Sequence, residues 1–328
     1  MVRATWIRAI TISAALLLAG ATQPPPAWLY PPRSSTVPRP PVPHALAGST
    51  LHPTDDELET MTAVVDWYPG DHPAAPAAVM GPTGKANACG YCHMPNGAGR
   101  PENASLAGLD AAYIRRSVHA YASGTRESSE PTFLAFKLMR LTALAADDTA
   151  IDAAAQYFSR LPRHAFGRVV ESAAIPVPIG DAMVYRPDPS GKREALGDRL
   201  IEMPDDFGRF EARDSHLGYT AYVPPGAIAQ GATLASGMAA AGPPACTACH
   251  GGDYNGTAIA PPLAGRSPTY LARQLINYRS GARHGDQAVA MHAVAAHLTD
   301  HDVIALAAFM ASRPVPRAGL PRTGADQR

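Results

Sequence analysis

Two copies of one five-residue motif, Cys-x-x-Cys-His, constrain this chain more than any other feature of its sequence. They use all four cysteines of the 328 residues, and their members are Cys89, Cys92 and His93, and Cys246, Cys249 and His250. The two thiols of such a motif lie one short turn apart, so each can add to one vinyl group of the same haem, and the histidine that follows lies beneath the iron. The sequence therefore predicts two covalently bound haem c groups.

Two other kinds of site also use Cys-x-x-Cys. A structural zinc site needs four cysteine or histidine ligands at closed spacing, and a thioredoxin-like redox pair lies in an α/β context with no required histidine. Neither alternative accounts for a histidine directly after the second cysteine in both copies. Covalent haem is the preferred interpretation.

Chain length and charge limit the number of domains and the kinds of partner that this protein can have. A chain of 328 residues can form two or three domains, and each half contains one motif, so two haem domains are predicted. The 28 Lys and Arg residues balance the 28 Asp and Glu residues, which leaves no basic excess for a nucleic acid. We expect no nucleic-acid partner.

The first 21 residues are typical of a secretory signal. Arg3 and Arg8 precede an apolar run that ends near Leu18, and small residues at 19–21 offer a cleavage site. The run is short for a membrane span, and no cysteine follows it that could take a lipid, so an uncleaved anchor is the weaker alternative. We expect a periplasmic protein without a membrane span after cleavage, in agreement with haem attachment outside the bacterial cytoplasm.

The remainder of the chain divides by composition into five parts. Residues 22–54 are rich in proline and favour an extended arm, which is either exposed or folded over a haem domain or a partner. Residues 55–161 and 226–315, here called the first and second haem regions, have helical patterns. Residues 162–225 combine short β-leaning pieces with turns and are expected to form a connector, and residues 316–328 form a tail.

Helical periodicity begins at several identifiable points of the two haem regions. The predicted helices are a short one from Asp55 and longer ones near residues 113–121, 134–144, 149–161, 226–238 and 299–312, with Thr299 as a cap. In the connector, residues 199–203 and 219–223 have the composition of strands, and one hairpin is compatible with the turns between them.

The two haem regions are internal repeats of each other. Matching the two histidines gives an offset of 157, at which Leu-Ala-Gly at 106–108, Tyr113 and Gly-Thr-Arg at 124–126 align with residues 263–265, Tyr270 and Gly-Ala-Arg at 281–283. Matching the closing helices gives an offset of 152, and there Met139 aligns with Met291. These two methionines are the best candidates for the sixth iron ligands, because a thioether stabilises ferrous iron and blocks exogenous ligands.

Several of these residues have alternative roles. A methionine at helical spacing often only fills the core, and in the first haem region Met94 or His119 compete with Met139 for the iron. His119 and His292 are otherwise expected to be ordinary surface or packed residues.

The aligned arginines and tyrosines are candidates for contacts with the haem periphery. Arg126 and Arg283 suit the haem propionates, since a guanidinium binds a carboxylate through two hydrogen bonds, although solvated or locally capping arginines fit nearly as well. Tyr113 and Tyr270 either bond near the haem or simply pack their rings.

The repeated order of these features resembles the tandem di-haem cytochromes of the class I cytochrome c fold. The resemblance covers residues 85–161 and 226–313 and rests on Cys-x-x-Cys-His, Leu-Ala-Gly, Tyr, Gly-x-Arg, Met and a closing alanine-rich helix. It implies an all-α fold of two cytochrome c-like helical domains, joined here by an irregular, partly β connector. It also implies His93 and His250 as proximal ligands, and Met139 and Met291 as distal ligands.

The two repeats differ at a position that matters in this family, where a proline carbonyl often orients the proximal histidine. The second haem region has Pro261 and Pro262, whereas the first has Ala104 and Ser105, with Pro101 displaced. Support for His93 is therefore in doubt, and the two haems are predicted to differ in reduction potential.

The predicted function is single-electron transfer between a dehydrogenase or membrane donor and a downstream acceptor. The haem supplies the redox chemistry, so no catalytic residue is required and the chain itself is not expected to be an enzyme. A quinoprotein dehydrogenase and a terminal oxidase are conceivable partners. Two alternatives stay open: a di-haem enzyme of the peroxidase kind, and a dedicated cytochrome subunit of a dehydrogenase complex with the arm and connector as docking surfaces.

Overall fold

The computed structural model describes residues 24–32, 36–82, 86–237 and 243–316. The predicted signal at residues 1–21 lies outside these ranges, as does the tail from residue 317 onward and the end of the helix predicted to reach Met238.

The described residues of the first haem region form six helices. They are α1 (Asp55–Glu59), α2 (Ala77–Met80), α3 (Cys89–His93), α4 (Ala111–Ser123), α5 (Leu134–Ala145) and α6 (Asp148–Arg160). Helix α6 is capped by Asp147, whose carboxylate accepts a hydrogen bond from the backbone N–H of Ala150, and it buries Phe158 completely. The three longer helices lie where periodicity predicted them, because each has a continuous apolar face.

The connector contains more regular structure than expected. Its elements are β1 (Arg168–Glu171), β2 (Ala174–Pro176), β3 (Pro178–Asp181), β4 (Val184–Pro187), β5 (Arg193–Ala195), β6 (Ile201–Pro204), α7 (Phe207–Glu211) and β7 (Tyr219–Val223). Strand β7 pairs parallel with β1 and antiparallel with β6, β3 and β4 form a hairpin, and β2 pairs antiparallel with β5. The fold is therefore helical with a β-containing part, and "all-α" was too narrow a prediction for the chain.

The second haem region repeats the helical pattern. It consists of α8 (Ala227–Ala235), α9 (Thr247–His250), α10 (Pro268–Arg279), α11 (Val289–Ala295) and α12 (Asp300–Ser312). Thr299 caps α12 as predicted, in a capping box with Asp302. Residues 303–311 of α12 are all buried, since α8 and α10 pack against it.

The connector packs firmly on the first haem motif. The guanidinium of Arg213 lies 3.4 Å from the centre of the Tyr91 ring and donates to the Tyr91 carbonyl at 2.9 Å. The indole N–H of Trp67 donates to the carbonyl of Ala212 at 2.7 Å, and this bond is buried. The Arg213 contact holds the turn between the two cysteines of the first motif against the connector, and the Trp67 bond holds a neighbouring loop there.

Part of the proline-rich arm is also packed rather than exposed. Leu29 is fully buried, and its carbonyl accepts a hydrogen bond of 3.1 Å from Arg273 in α10. The Tyr30 hydroxyl bonds the Ser129 hydroxyl at 2.9 Å, and the Tyr30 ring meets Phe133 edge-on. This short segment therefore joins α10 to the first haem region.

Among the described residues, no single helix has both the length and the apolar composition to cross a bilayer. One bent pair, Asp286–Ala295 with Asp300–Ser312, satisfies these two criteria only when its members are taken together.

Candidate haem sites

The first motif forms the short helix α3, which places the half-buried His93 beside a backbone acceptor. The Nδ1 atom of His93 lies 2.8 Å from the carbonyl oxygen of Ala104. Because a carbonyl only accepts, Nδ1 carries the proton and Nε2 keeps its lone pair for a metal. Burial lowers the pKa of His93, outweighing the bond to Ala104, and so favours the neutral imidazole that binds iron.

The second motif repeats this geometry. The Nδ1 atom of His250 lies 2.7 Å from the carbonyl oxygen of Pro261, the residue that aligns with Ala104 at the offset of 157. The doubt about support for His93 was therefore misplaced, because a backbone carbonyl can accept this bond whether or not its residue is proline. Burial likewise lowers the pKa of His250.

A cavity in the first haem region brings several predicted residues together. Cys89, Cys92 and His93 lie on its wall, and Met139 lines it from α5. Most of the remaining wall is apolar, which suits a porphyrin. Burial raises the pKa of the Cys89 thiol to about 11, and it raises the pKa of Cys92 as well.

The two competitors of Met139 lie elsewhere. Met94 lines a separate cavity together with His164 and His216. The ring of His119 is half-exposed, with Nε2 3.3 Å from a carboxylate oxygen of Asp148. Among the three candidates, only Met139 is on the wall of the cavity that contains the first motif.

In the second haem region, Met291 lies on α11, directly before the closing helix α12. It is partly buried against Tyr278, Ala288 and Ala295. The neighbouring His292 is packed edge-on to Tyr278, and its Nε2 contacts the Arg283 carbonyl, as expected for a packed histidine. Met139 and Met291 thus share one position, on the helix that precedes the closing helix.

The aligned arginines and tyrosines meet across the boundary between the two haem regions. Arg126 donates to the Tyr270 hydroxyl at 3.0 Å, and Arg283 donates to the Tyr113 hydroxyl at 3.4 Å. Both guanidinium groups also donate to the side-chain oxygen of Gln274, at 3.1 and 3.0 Å. Each repeat therefore supplies an arginine to the tyrosine of the other, in a pseudo-twofold arrangement.

Backbone bonds reinforce this boundary with the same symmetry. The N–H of Glu127 donates to the Ala282 carbonyl, and the N–H of His284 donates to the Thr125 carbonyl, both at 2.8 Å. These reciprocal bonds join the loops that carry the two arginines, so the haem regions are held in one register.

The charges at this boundary fit an anionic cofactor edge. Arg126 is buried on the wall of the first cavity, and its Nε atom has no hydrogen-bond partner among the described residues. Burial disfavours the phenolate of Tyr113, but the cations Arg283 and Arg126 outweigh it and lower the pKa of Tyr113 to about 7. A haem propionate would compensate this excess positive charge, so the residues present fit the haem.

Several residues at these sites were not anticipated from the sequence. Tyr30 from the arm and Arg273, Gln274 and Asn277 from α10 line the first cavity. Arg266 is buried between the two haem regions. Its only signal in the sequence is a break in the repeat, because Leu109 stands at the aligned position.

A duplicated thiol pair, with a histidine held by a backbone carbonyl after each pair, defines a c-type cytochrome with two haems. Residues 228–314 match the protein family described as Cytochrome c. The chain is 28% identical to cytochrome c4 of Azotobacter vinelandii over 234 residues, which cover 69% of this chain and 85% of that protein.

Two further relatives match different lengths of the chain. The thiosulfate dehydrogenase electron acceptor of Thiomonas intermedia is 28% identical over 245 residues, 74% of this chain and 86% of that protein. Cytochrome c-554(548) of Halomonas halodenitrificans is 44% identical over 69 residues, 21% of this chain and 83% of that protein. The chain belongs to the cytochrome c family, and within it is a tandem di-haem electron-transfer protein that binds haem c covalently.

Proposed function

We propose that the protein is an exported electron carrier in which both irons have a histidine and a methionine ligand. The observation that carries this assignment is the cavity shared by Met139 and His93, together with the equivalent placement of Met291. We assign haem attachment to the thiols Cys89, Cys92, Cys246 and Cys249, proximal ligation to His93 and His250, and distal ligation to Met139 and Met291.

Two filled axial positions favour outer-sphere electron transfer over chemistry at the iron. The bound haem supplies the one-electron couple, and this chain's residues orient and enclose it. The carbonyls of Ala104 and Pro261 fix the two imidazole rings, and the apolar walls exclude water from the first site. Arg126, Arg283, Tyr113 and Tyr270 are proposed to neutralise and orient the propionate edges.

The donor is proposed to be a dehydrogenase, which passes its electrons one at a time to this protein. Two relatives, from Thiomonas intermedia and Stutzerimonas stutzeri, are named thiosulfate dehydrogenase electron acceptors, and both align over most of their length. The chain has equal numbers of acidic and basic residues, so its net charge does not favour a strongly charged partner. The haem units are proposed to be residues 55–161 and 226–315, exported by the signal at 1–21.

The ligands can be tested with the weak near-infrared band of methionine bound to ferric haem. Met139→Ala and Met291→Ala should each remove about half of this band and let carbon monoxide bind fully at the altered haem after reduction. Met310→Leu, which changes a buried methionine of α12, is the control and should leave the band intact. Retention of the full band in Met139→Ala, with a loss in Met94→Leu, would overturn the assignment in the first site.

The donor can be tested by mixing the oxidised protein with a purified thiosulfate dehydrogenase and its substrate. Rapid haem reduction that requires both components supports a dehydrogenase donor. Stable co-purification of the two proteins would favour a dedicated subunit over a diffusing carrier. Full reduction by thiosulfate alone would contradict the proposed donor.

A further inference from the structure

Arg266 is a buried cation that connects the two haem regions. It lies between the Leu-Ala-Gly segment at 263–265 and the start of α10, and it is 7% exposed. Its Nε atom donates to the carbonyl of Pro262 at 2.6 Å, and its Nη1 atom donates to the carbonyl of Ser105 at 2.8 Å. One planar guanidinium therefore joins a loop of the second haem region to a loop of the first.

These two loops are the ones that hold the haem-motif histidines. Pro262 follows Pro261, whose carbonyl accepts a hydrogen bond from Nδ1–H of His250. Ser105 follows Ala104, whose carbonyl accepts a hydrogen bond from Nδ1–H of His93. A shift of either loop would rotate the imidazole that it orients. Arg266 is thus bonded one peptide unit away from both acceptor carbonyls.

The charge of Arg266 interacts with the phenols of Tyr270 and Tyr113 rather than with a carboxylate. Within the described ranges its guanidinium forms no salt bridge with any carboxylate. Burial lowers the pKa of Arg266, yet a guanidinium remains protonated in proteins. A buried positive charge repels ferric haem more than ferrous haem, because the ferric form is the more positive one. This repulsion is only weakly screened in the protein interior.

The repeat shows that this arrangement is not duplicated. Leu109 occupies the aligned position of the first haem region, and its side chain belongs to the apolar core. Arg126 and Arg283 are equivalent residues that form reciprocal bonds, one from each repeat. Arg266 has no such equivalent, so one residue alone contacts both loops.

We propose that Arg266 is a positioning residue shared by the two haem sites, which sets the orientation of both proximal imidazoles and raises both reduction potentials. This role requires that His93 and His250 bind the haems, as proposed above. It predicts that one substitution outside both motifs alters the two haems together.

The test is a spectroelectrochemical titration of the intact di-haem protein with Arg266→Gln and Arg266→Lys. In Arg266→Gln, the ratio of reduced to oxidised haem at a fixed potential should fall about tenfold at each site, which corresponds to 59 mV for a one-electron couple. Arg266→Lys keeps the charge but cannot make the same two-pronged contact, so it should recover most of both potentials. Proton spectra of the ferric haem methyl groups should still differ from wild type in Arg266→Lys, because they report imidazole orientation.

Arg279→Gln is the matched control. Arg279, at the end of α10, likewise donates to a backbone carbonyl, that of Leu298 at 2.9 Å, and it also forms a salt bridge with Asp300. Both of these partners lie in the second haem region. Potentials that change at one haem only, or equally in Arg279→Gln, would overturn the shared role. If Arg266→Gln does not fold, the haem methyl spectra of Arg266→Lys provide the test. Unchanged spectra at both haems would refute the shared positioning role of Arg266.

The near-infrared methionine band separates this outcome from failure of the proposed function. The band should persist in both Arg266 variants, since neither removes an iron ligand. Its absence from the wild-type protein would contradict the histidine and methionine ligation instead.

Discussion

Replacing Gly231 by alanine is expected to destabilise the second haem region, although alanine favours a helix more than glycine does. Gly231 lies in α8, where that helix crosses α12. A Cβ atom at this position would lie 2.0 Å from the carbonyl oxygen of Ala305 and 2.7 Å from the Cβ atom of Phe309. Ordinary contact begins at 3.4 Å, so α12 would have to retreat by roughly 1.4 Å.

Helix propensity and overpacking have opposite effects on the stability of Gly231→Ala. Alanine gains about 1 kcal/mol in helix propensity over glycine. Overpacking costs about 1–3 kcal/mol, and a contact with the backbone carbonyl of a buried helix belongs at or above the upper end. The net loss is about 2 kcal/mol, which lowers Tm by about 3 °C, since a chain of 328 residues has an unfolding entropy of about 0.7 kcal/mol/K.

The displacement also reaches the haem motif. The last carbonyl of α8, that of Ala235, accepts a 3.0 Å hydrogen bond from the N–H of Cys246. Movement of α8 away from α12 therefore strains the attachment of the second haem. We expect Gly231→Ala to broaden the haem circular dichroism of this site as well as to lower its Tm.

The assay is thermal unfolding followed by circular dichroism in the far ultraviolet and in the haem absorption. Gly70→Ala is the control, because nothing lies within 4 Å of the added Cβ there. A Tm of Gly231→Ala equal to or above that of wild type would show that helix propensity prevails and would refute the packing argument.

Two further predictions concern buried contacts of the first haem region. Trp67→Phe leaves the Ala212 carbonyl without its buried 2.7 Å hydrogen bond. It should therefore lower the free energy of unfolding, measured by urea titration, by about 1–3 kcal/mol. An unchanged free energy would mean that water replaces the indole as the donor. Burial, assisted by Asp66, raises the pKa of Tyr157 from 10.0 to about 12, so the unfolded chain loses this proton first and stability should fall between pH 10 and 12. Tyr157→Phe should show a shallower fall over that interval, and an identical pH profile in both proteins would contradict it.

Much of the helical structure follows from local sequence. Helices α4, α5 and α6 have continuous apolar faces and clear boundaries, and α12 begins at the capping threonine Thr299. The first helix is short, as predicted, and α1 ends at Glu59 although apolar residues continue to Val65. Apolar residues beyond the end of α1 pack against other parts of the chain without helical hydrogen bonds.

The contacts between distant segments could not be predicted in the same way. The sequence shows an arginine and a tyrosine in each repeat, but not that Arg126 bonds Tyr270 and Arg283 bonds Tyr113. A repeat specifies equivalent positions and leaves open whether partners come from the same copy or from the other. The packing of Arg213 on Tyr91 joins residues 122 positions apart, and no local pattern reports such a pair.

Strands β1 and β7 have a consequence for how this chain tolerates change in length. Strand β1 leaves the first haem region, β7 leads into the second, and their parallel pairing places Arg168 beside Thr220. The two ends of the connector are thus hydrogen-bonded side by side. The chain between them forms a closed loop that starts and ends at this pair of strands. Residues can be inserted in the exposed turn 189–192 between β4 and β5, where nothing lies within 4 Å of a Cβ added at Gly191, without altering the separation of the haem regions. That turn is therefore a grafting site for tags or electrode linkers.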